Sequence, residues 1–216
     1  MTTTFTPIRP GCDLREAFQR AYENRYTWDP DFSGYQGHCF WAQGDRCFKG
    51  TFELNAGLKS KVQGIDDEQV LKAVNSQLWE IAIHRVRRDF KTTHGDNTFT
   101  AGETDIVGTE VLVGGKGEGD RYRIKDDVVT MVHRHIHGTV VTIFTTETTD
   151  TGSGYLSSAY TSQYSDPSTG EPRGGKNSFK DTFIPLTNGG PWVLKERIIE
   201  CEAGSQTFRF EDLKTL

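Results

Sequence analysis

Between residues 13 and 26 the chain reads DLREAFQRAYENRY, and Leu14, Ala17, Phe18, Ala21 and Tyr22 recur at i, i+3, i+4, i+7 and i+8. That spacing lines one stripe of a helix. Asp13 is placed to cap it, with Glu16 completing a capping box. Asp29-Pro30 ends it, because the residue before proline is pushed out of the helical region. A second stripe runs through DDEQVLKAVNSQLWEIAIHRVRRDF, residues 66–90, as Val70, Leu71, Val74, Leu78, Ile81, Ala82, Val86 and Phe90. Acids come first and bases last, as the helix dipole favours. Trp79 and Ile83 widen this stripe, so the helix is expected to lie across a broad apolar surface.

The rest of the chain alternates with a period of two. In RCFKGTFELN, Phe48, Gly50, Phe52 and Leu54 share one face, while Cys47, Lys49, Thr51 and Glu53 share the other. This is an antiparallel strand with one wet side. GYQGHCFWAQ precedes it and LKSKVQ follows; nine further strand-like runs lie between residue 97 and the C-terminus. Turn residues join them: Gly114-Gly115, Asp126-Asp127, His137-Gly138, Asp150-Thr151-Gly152, Asp166-Pro167, Asn188-Gly189-Gly190 and Gly204. The pattern predicts an α+β fold. Its sheet is curved and antiparallel, an open half-barrel of about eleven strands. Two helices cover the concave face, and an apolar cavity lies between helix and sheet. No composition shift divides the chain, so residues 1–216 are expected as a single domain, with 1–12 a lead segment and 165–177 a mobile loop.

Composition refines this picture at three points. Hydrophobic residues make up only 34% but aromatics reach 11%, so the core is expected to be built from rings rather than from Leu and Ile. The net charge of −5 lacks the basic footprint of a nucleic-acid binder. Cys12, Cys39, Cys47 and Cys201 show no C-x-x-C spacing. They are expected as reduced thiols, although Cys39 and Cys47 flank a tight turn and could approach each other. The start MTTTFTPIRPGCD has no apolar signal-peptide core, and no run reaches 18 apolar residues. The expected location is therefore cytoplasmic.

The chemistry of the sequence concentrates in VVTMVHRHIHGTVV, residues 128–141, which holds His133, His135 and His137 at alternate positions. His137-Gly138 fits a two-residue hairpin turn with φ > 0 at both positions. That register pairs Ile136 with Thr139, His135 with Val140, His133 with Thr142 and Met131 with Phe144. His137 then belongs to the turn, and His133 and His135 share a face with Met131 and Phe144, about 7 Å apart at i, i+2 spacing. Two imidazoles there could start a metal site, but zinc wants a third or fourth ligand and none is marked by spacing. Alternatively they pair with Thr142 and tyrosine hydroxyls on a half-buried face, or they are the polar groups of an aromatic-lined pocket. GGKGEGDRY (114–122) is followed by strand-like sequence, so it reads as a hairpin and not as a phosphate loop. HRVRRDFK (84–91) could touch an anionic head group, but reads as a solvated helix end. No G-x-S-x-G elbow supports a nucleophile. Asp181, Glu196, Glu200 and Glu202 supply carboxylates that spacing alone does not pair.

Three runs, AYENRYTWDPDFSGYQG, SQLWEIAIHRVRRDF and YRIKDDVVTMVHRHIHGT, resemble an uncharacterised family of cyanobacteria and chloroplasts. The resemblance covers nearly the whole chain and implies a single domain in a photosynthetic host. It carries no activity and no catalytic residues. More distantly, the element order is similar to that of the lipoprotein-carrier fold, an open β-barrel with a helical lid, although this start lacks an export signal. The expected function is non-enzymatic. It is the binding of a small, largely apolar ligand or a partner protein, in photosynthetic assembly or in pigment and lipid handling. His133, His135, Met131 and Phe144 are the expected ligand contacts, pointing into the concave, helix-covered side, with Trp79 from the second helix. No metal, cofactor or nucleic acid is expected; peripheral membrane contact stays open. The alternatives are a metal-dependent or acid–base enzyme using His133 and His135, and a structural interaction module.

Overall fold

The computed structural model describes residues 13–216. The lead segment 1–12, with the Pro10-Gly11 turn and Cys12, lies outside the described residues. The fold is α+β and its strand ladders are antiparallel. It forms two compact units, each built from separated stretches of chain.

The first unit comprises the described residues up to Tyr26 together with Arg88–Asn177. Helix α1 (Leu14–Glu23) starts as its sequence predicts, with the Asp13 carboxylate accepting from Arg15 N at 2.9 Å. A short helix α3 (Phe90–His94) follows later. The strands are β4 (Asn97–Thr104), β5 (Thr109–Gly115), β6 (Arg121–Lys125), β7 (Val128–Ile136), β8 (Thr139–Asp150) and β9 (Tyr155–Ser165). They pair in chain order, each with its sequence neighbour. Ala17, Phe18, Ala21 and Tyr22 of α1 pack on Val111, Val113, Tyr122, Ile124 and Val129.

The second unit is Thr27–Arg87 with Ser178–Leu216. Its strands are β1 (Gly34–Gln43), β2 (Arg46–Asn55), β3 (Ser60–Gln63), β10 (Asn177–Pro185), β11 (Trp192–Cys201) and β12 (Gly204–Thr215), in the order β3-β2-β1-β12-β11-β10. Helix α2 (Glu68–Ile83) buries Val70, Val74, Leu78, Ile81 and Ala82. Strand β2 buries Gly50, Phe52 and Leu54 and exposes the residues between, as its alternation predicts. Among the described residues edge strand β4 pairs only with β5 and edge strand β3 only with β2, so the sheet is open.

The structure corrects several expectations. Among the described residues the strands number twelve, in line with the expected count, and there are three helices rather than two. The second helix does not run to Phe90. It stops at Ile83, where Arg85 N turns back to Ala82 O at 2.9 Å and Trp28 N takes the Arg85 carbonyl at 2.8 Å. Asp89 then caps a separate helix by accepting from Thr92 N at 2.7 Å. As a result Val86 is exposed, and Phe90 is buried in the first unit. HRVRRDFK is therefore largely a connecting segment and not a helix end. Cys39 is buried while Cys47 is exposed. Cys39 pairs with Gly50 and Cys47 with Ala42, three positions along, so the two thiols point to opposite faces.

Candidate functional site

His137 and Gly138 sit at φ 48° and 76°, the left-handed pair that a tight hairpin needs. The turn fixes the β7–β8 register: Met131 opposite Phe144, His133 opposite Thr142, His135 opposite Val140. On the other side of β7, Arg121 faces His133 and Arg123 faces Met131. Directly paired residues share a face of the sheet, so Arg121, Arg123, Met131, His133, His135, Thr142 and Phe144 all point one way. Their neighbours Val111, Tyr122 and Val132 point the other way, onto α1. The two histidines thus share a face with Met131 and Phe144 as expected. That face is the one α1 leaves uncovered, not the helix-covered one anticipated.

The space between helix and sheet in this unit is filled by rings. Phe18 meets Tyr122 at 4.7 Å, Phe99 at 5.2 Å and Phe90 at 5.7 Å between centroids. His94 stands among them, 5.2 Å from Phe18 and 5.1 Å from both Tyr22 and Phe90. Burial, followed by the positive charges of Arg134 and Arg25, pushes its pKa down to about 4. Asn97 Nδ2 donates to its Nδ1 at 3.1 Å, which leaves the ring hydrogen on Nε2.

The open face instead carries a groove of about 550 Å³. Met131, Val140, Phe144 and Pro167 give it apolar lining; Glu110, Arg121, Arg123, His133, His135 and Thr142 give it polar lining. The 165–177 loop forms one wall. It is cross-linked by Asp166, which accepts from Ser168 N at 2.8 Å and pairs with Arg173. Arg173 also donates to Gly138 O at 3.1 Å, tying the loop to the histidine hairpin.

The tautomer of His133 follows from its partners. Burial, then Arg121 and His135, hold its pKa below the ordinary histidine value, so the ring is neutral at pH 7. Arg121 Nη2 lies 3.2 Å from His133 Nε2, and a guanidinium can only donate. Nε2 is therefore the acceptor. The ring hydrogen sits on Nδ1, which donates to Thr142 Oγ1 at 2.8 Å. His135 is held differently: Asp120 accepts from its backbone N at 2.9 Å and from Arg134 Nε at 3.1 Å. The two imidazole centroids are 5.8 Å apart and nearly perpendicular.

Trp79 does not belong with these residues. It lies on α2 in the second unit, 52% exposed, and does not line the groove. Among the described residues no three His, Cys, Asp or Glu side chains converge as a metal site would require. GGKGEGDRY is a hairpin between β5 and β6, and SSAYTSQYS lies within β9.

Sequence reasoning missed a buried polar group in the second unit. Arg197 on β11 is 1% exposed and binds Asp181 on β10 through Nε at 2.8 Å and Nη2 at 2.6 Å. Its Nη1 also donates to Gln77 at 2.7 Å and Glu80 at 3.0 Å, both on α2. Burial raises the Asp181 pKa even though Arg197 pulls it down. The group pegs α2 to the strands beneath it. Nearby Tyr35 is fully buried with no hydrogen-bond partner for its hydroxyl among the described residues, and burial raises its pKa. The available signal was an arginine at an inward strand position, but pairing it with Asp181 needs the β10–β11 register.

The family model described as "Protein of unknown function (DUF3386)" matches residues 10–216, and the chain belongs to that family. No curated protein sequence matches it. Among solved structures it is similar to a crystal structure from Vibrio parahaemolyticus, named for an outer membrane lipoprotein-sorting protein domain. The identity is 6% and the TM-score 0.34, over 93% of this chain and 91% of that one.

Proposed function

We propose that this member of the family binds a small, largely apolar ligand, without catalysis, in the groove of the first unit. The observation that carries the proposal is the coincidence, on the one face α1 leaves open, of apolar Met131, Val140 and Phe144 with the oriented pair His133 and Arg121. Its volume, about 550 Å³, is that of a small-molecule site. Phe144 is 37% exposed there, an aromatic ring left in water unless something covers it.

The setting we propose is pigment or lipid handling in the cytoplasm of a photosynthetic cell. The resemblance of the three sequence runs supports that setting. Visible absorption spectra of chain purified from such a host test it; colourless protein with no co-purifying lipid counts against it. No helix among the described residues is long and apolar enough to cross a membrane.

The ligand reading itself is tested with native mass spectrometry of the full chain and with calorimetric titration of decan-1-ol. Wild type should bind decanol at one site, and Phe144→Asp, which puts a charge on the groove floor, should abolish it. A bare native mass together with no saturable decanol binding refutes the reading.

A further inference from the structure

We infer that the groove selects a single-chain amphiphile with an anionic oxygen head, a carboxylate or phosphate, seated between Arg121 and Thr142. This rests on the ligand reading above and names the class of ligand.

The argument is one of hydrogen-bond direction. With Nε2 of His133 engaged by Arg121 and its Nδ1–H given to Thr142 Oγ1, the imidazole has no acceptor left for a ligand. Thr142 Oγ1 already accepts, and no group among the described residues takes its hydroxyl hydrogen, so that hydrogen is available to the groove. Arg121 spends one N–H on His133, and its nearest carboxylate, Glu110 Oε1, lies 4.0 Å from Nη1. Its remaining donors are available as well. Arg121 and Thr142 therefore present donors to the groove and His133 presents no acceptor, so an ammonium or other donor-only head would find no partner among these three.

Two of the other charges lining the groove, Arg123 and Asp166, are committed. Arg123 is held by Asp105 at 2.7 Å. Asp166 is held by Arg173 and by the loop amides of Ser168 and Thr169. Glu110 is the carboxylate that opposes an incoming anion, and at 4.0 Å it only partly offsets Arg121. Beyond the polar end, Met131, Val140, Phe144 and Pro167 supply the apolar surface that a tail would cover. A free anion would leave that surface wet; an uncharged chain would leave the Arg121 donors without an acceptor.

The test is calorimetric titration of the full chain with decanoate, decan-1-ol, decylammonium and acetate. Decanoate should bind at least tenfold more tightly than decanol, and decylammonium no better than decanol. Arg121→Gln should bring decanoate to the decanol level while leaving decanol unchanged. Glu110→Gln should strengthen decanoate several-fold, a gain that a misfolded variant cannot produce. Decanol binding as tightly as decanoate, or decylammonium binding more tightly, overturns the anionic head while the groove reading stands. Acetate binding as tightly as decanoate overturns the amphiphile. If neither decanol nor decanoate binds, the groove reading itself fails.

Discussion

His94 gives the sharpest stability prediction. In the folded chain it is 5% exposed, enclosed by Phe18, Tyr22 and Phe90, and its pKa is pushed down to about 4 from an ordinary 6.5. In the unfolded chain it takes up a proton near its ordinary value. Between the two values the unfolded state holds the extra proton, so stability falls as pH drops and stops falling near pH 4. The full gap of 2.5 units (6.5 minus 4) sets a ceiling of about 3 kcal/mol, at 1.36 kcal/mol per unit. By pH 5 roughly 2 kcal/mol of this should already be lost. The assay must report on the first unit. Trp28, Trp41, Trp79 and Trp192 all lie in the second, so tryptophan fluorescence does not report on the first unit directly. Urea unfolding followed by the amide NMR peaks of Phe18 and Tyr122, at pH 7.5 and pH 5, reads it directly. The same series on His94→Leu removes the titrating group and leaves the rest of the acid response. Wild type should lose roughly 2 kcal/mol more than His94→Leu over that interval. Equal losses would show that His94 titrates normally and that the ring cage admits its charged form.

Two substitutions in the second unit can be followed by tryptophan fluorescence. Leu78 is fully buried on α2, and Leu78→Ala should cost about 2–5 kcal/mol in urea unfolding. A loss under about 1 kcal/mol would mean that α2 is not packed through this stripe. Asp181→Ala takes away the carboxylate that meets the buried Arg197 guanidinium through both Nε and Nη2, and should cost about 3–5 kcal/mol. A near-neutral result would show that Arg197 does not depend on Asp181 for its burial.

Much of the site was legible one residue at a time. The His137-Gly138 turn is a local matter of backbone φ, and it determines the pairing of Met131, His133 and His135 with Phe144, Thr142 and Val140. A strand's period of two then puts His133, His135 and Met131 on one side, whatever lies elsewhere in the chain. The stripe of α1 and the alternation of β2 were equally local, and both bury the residues their spacing predicts except Leu14 and Phe48, which are half-buried.

The tertiary structure decided what the local pattern could not. Alternation separates two faces of a strand but does not say which one a helix will cover, so the histidines were assigned to the wrong side. α1 covers Val111, Tyr122 and Val132, where the charges of Arg134 and Asp120 pair and neutralise each other; the opposite face carries Arg121 and Arg123. The apolar stripe of α2 likewise seemed to continue through Val86 to Phe90. The hydrogen bond from Trp28 N to Arg85 O and the Asp89 cap break it there, and Phe90 joins the core of the other unit. Trp79 widened the stripe on paper but lies outside the arc of α2 that the strands bury. Arg197 on β11 meets Asp181 from β10 and Gln77 and Glu80 from α2, the helix residues lying more than a hundred positions away in the chain. Hydrophobic periodicity carries no information about which distant charges meet. That is fixed only when the strand register and the seating of α2 bring them together.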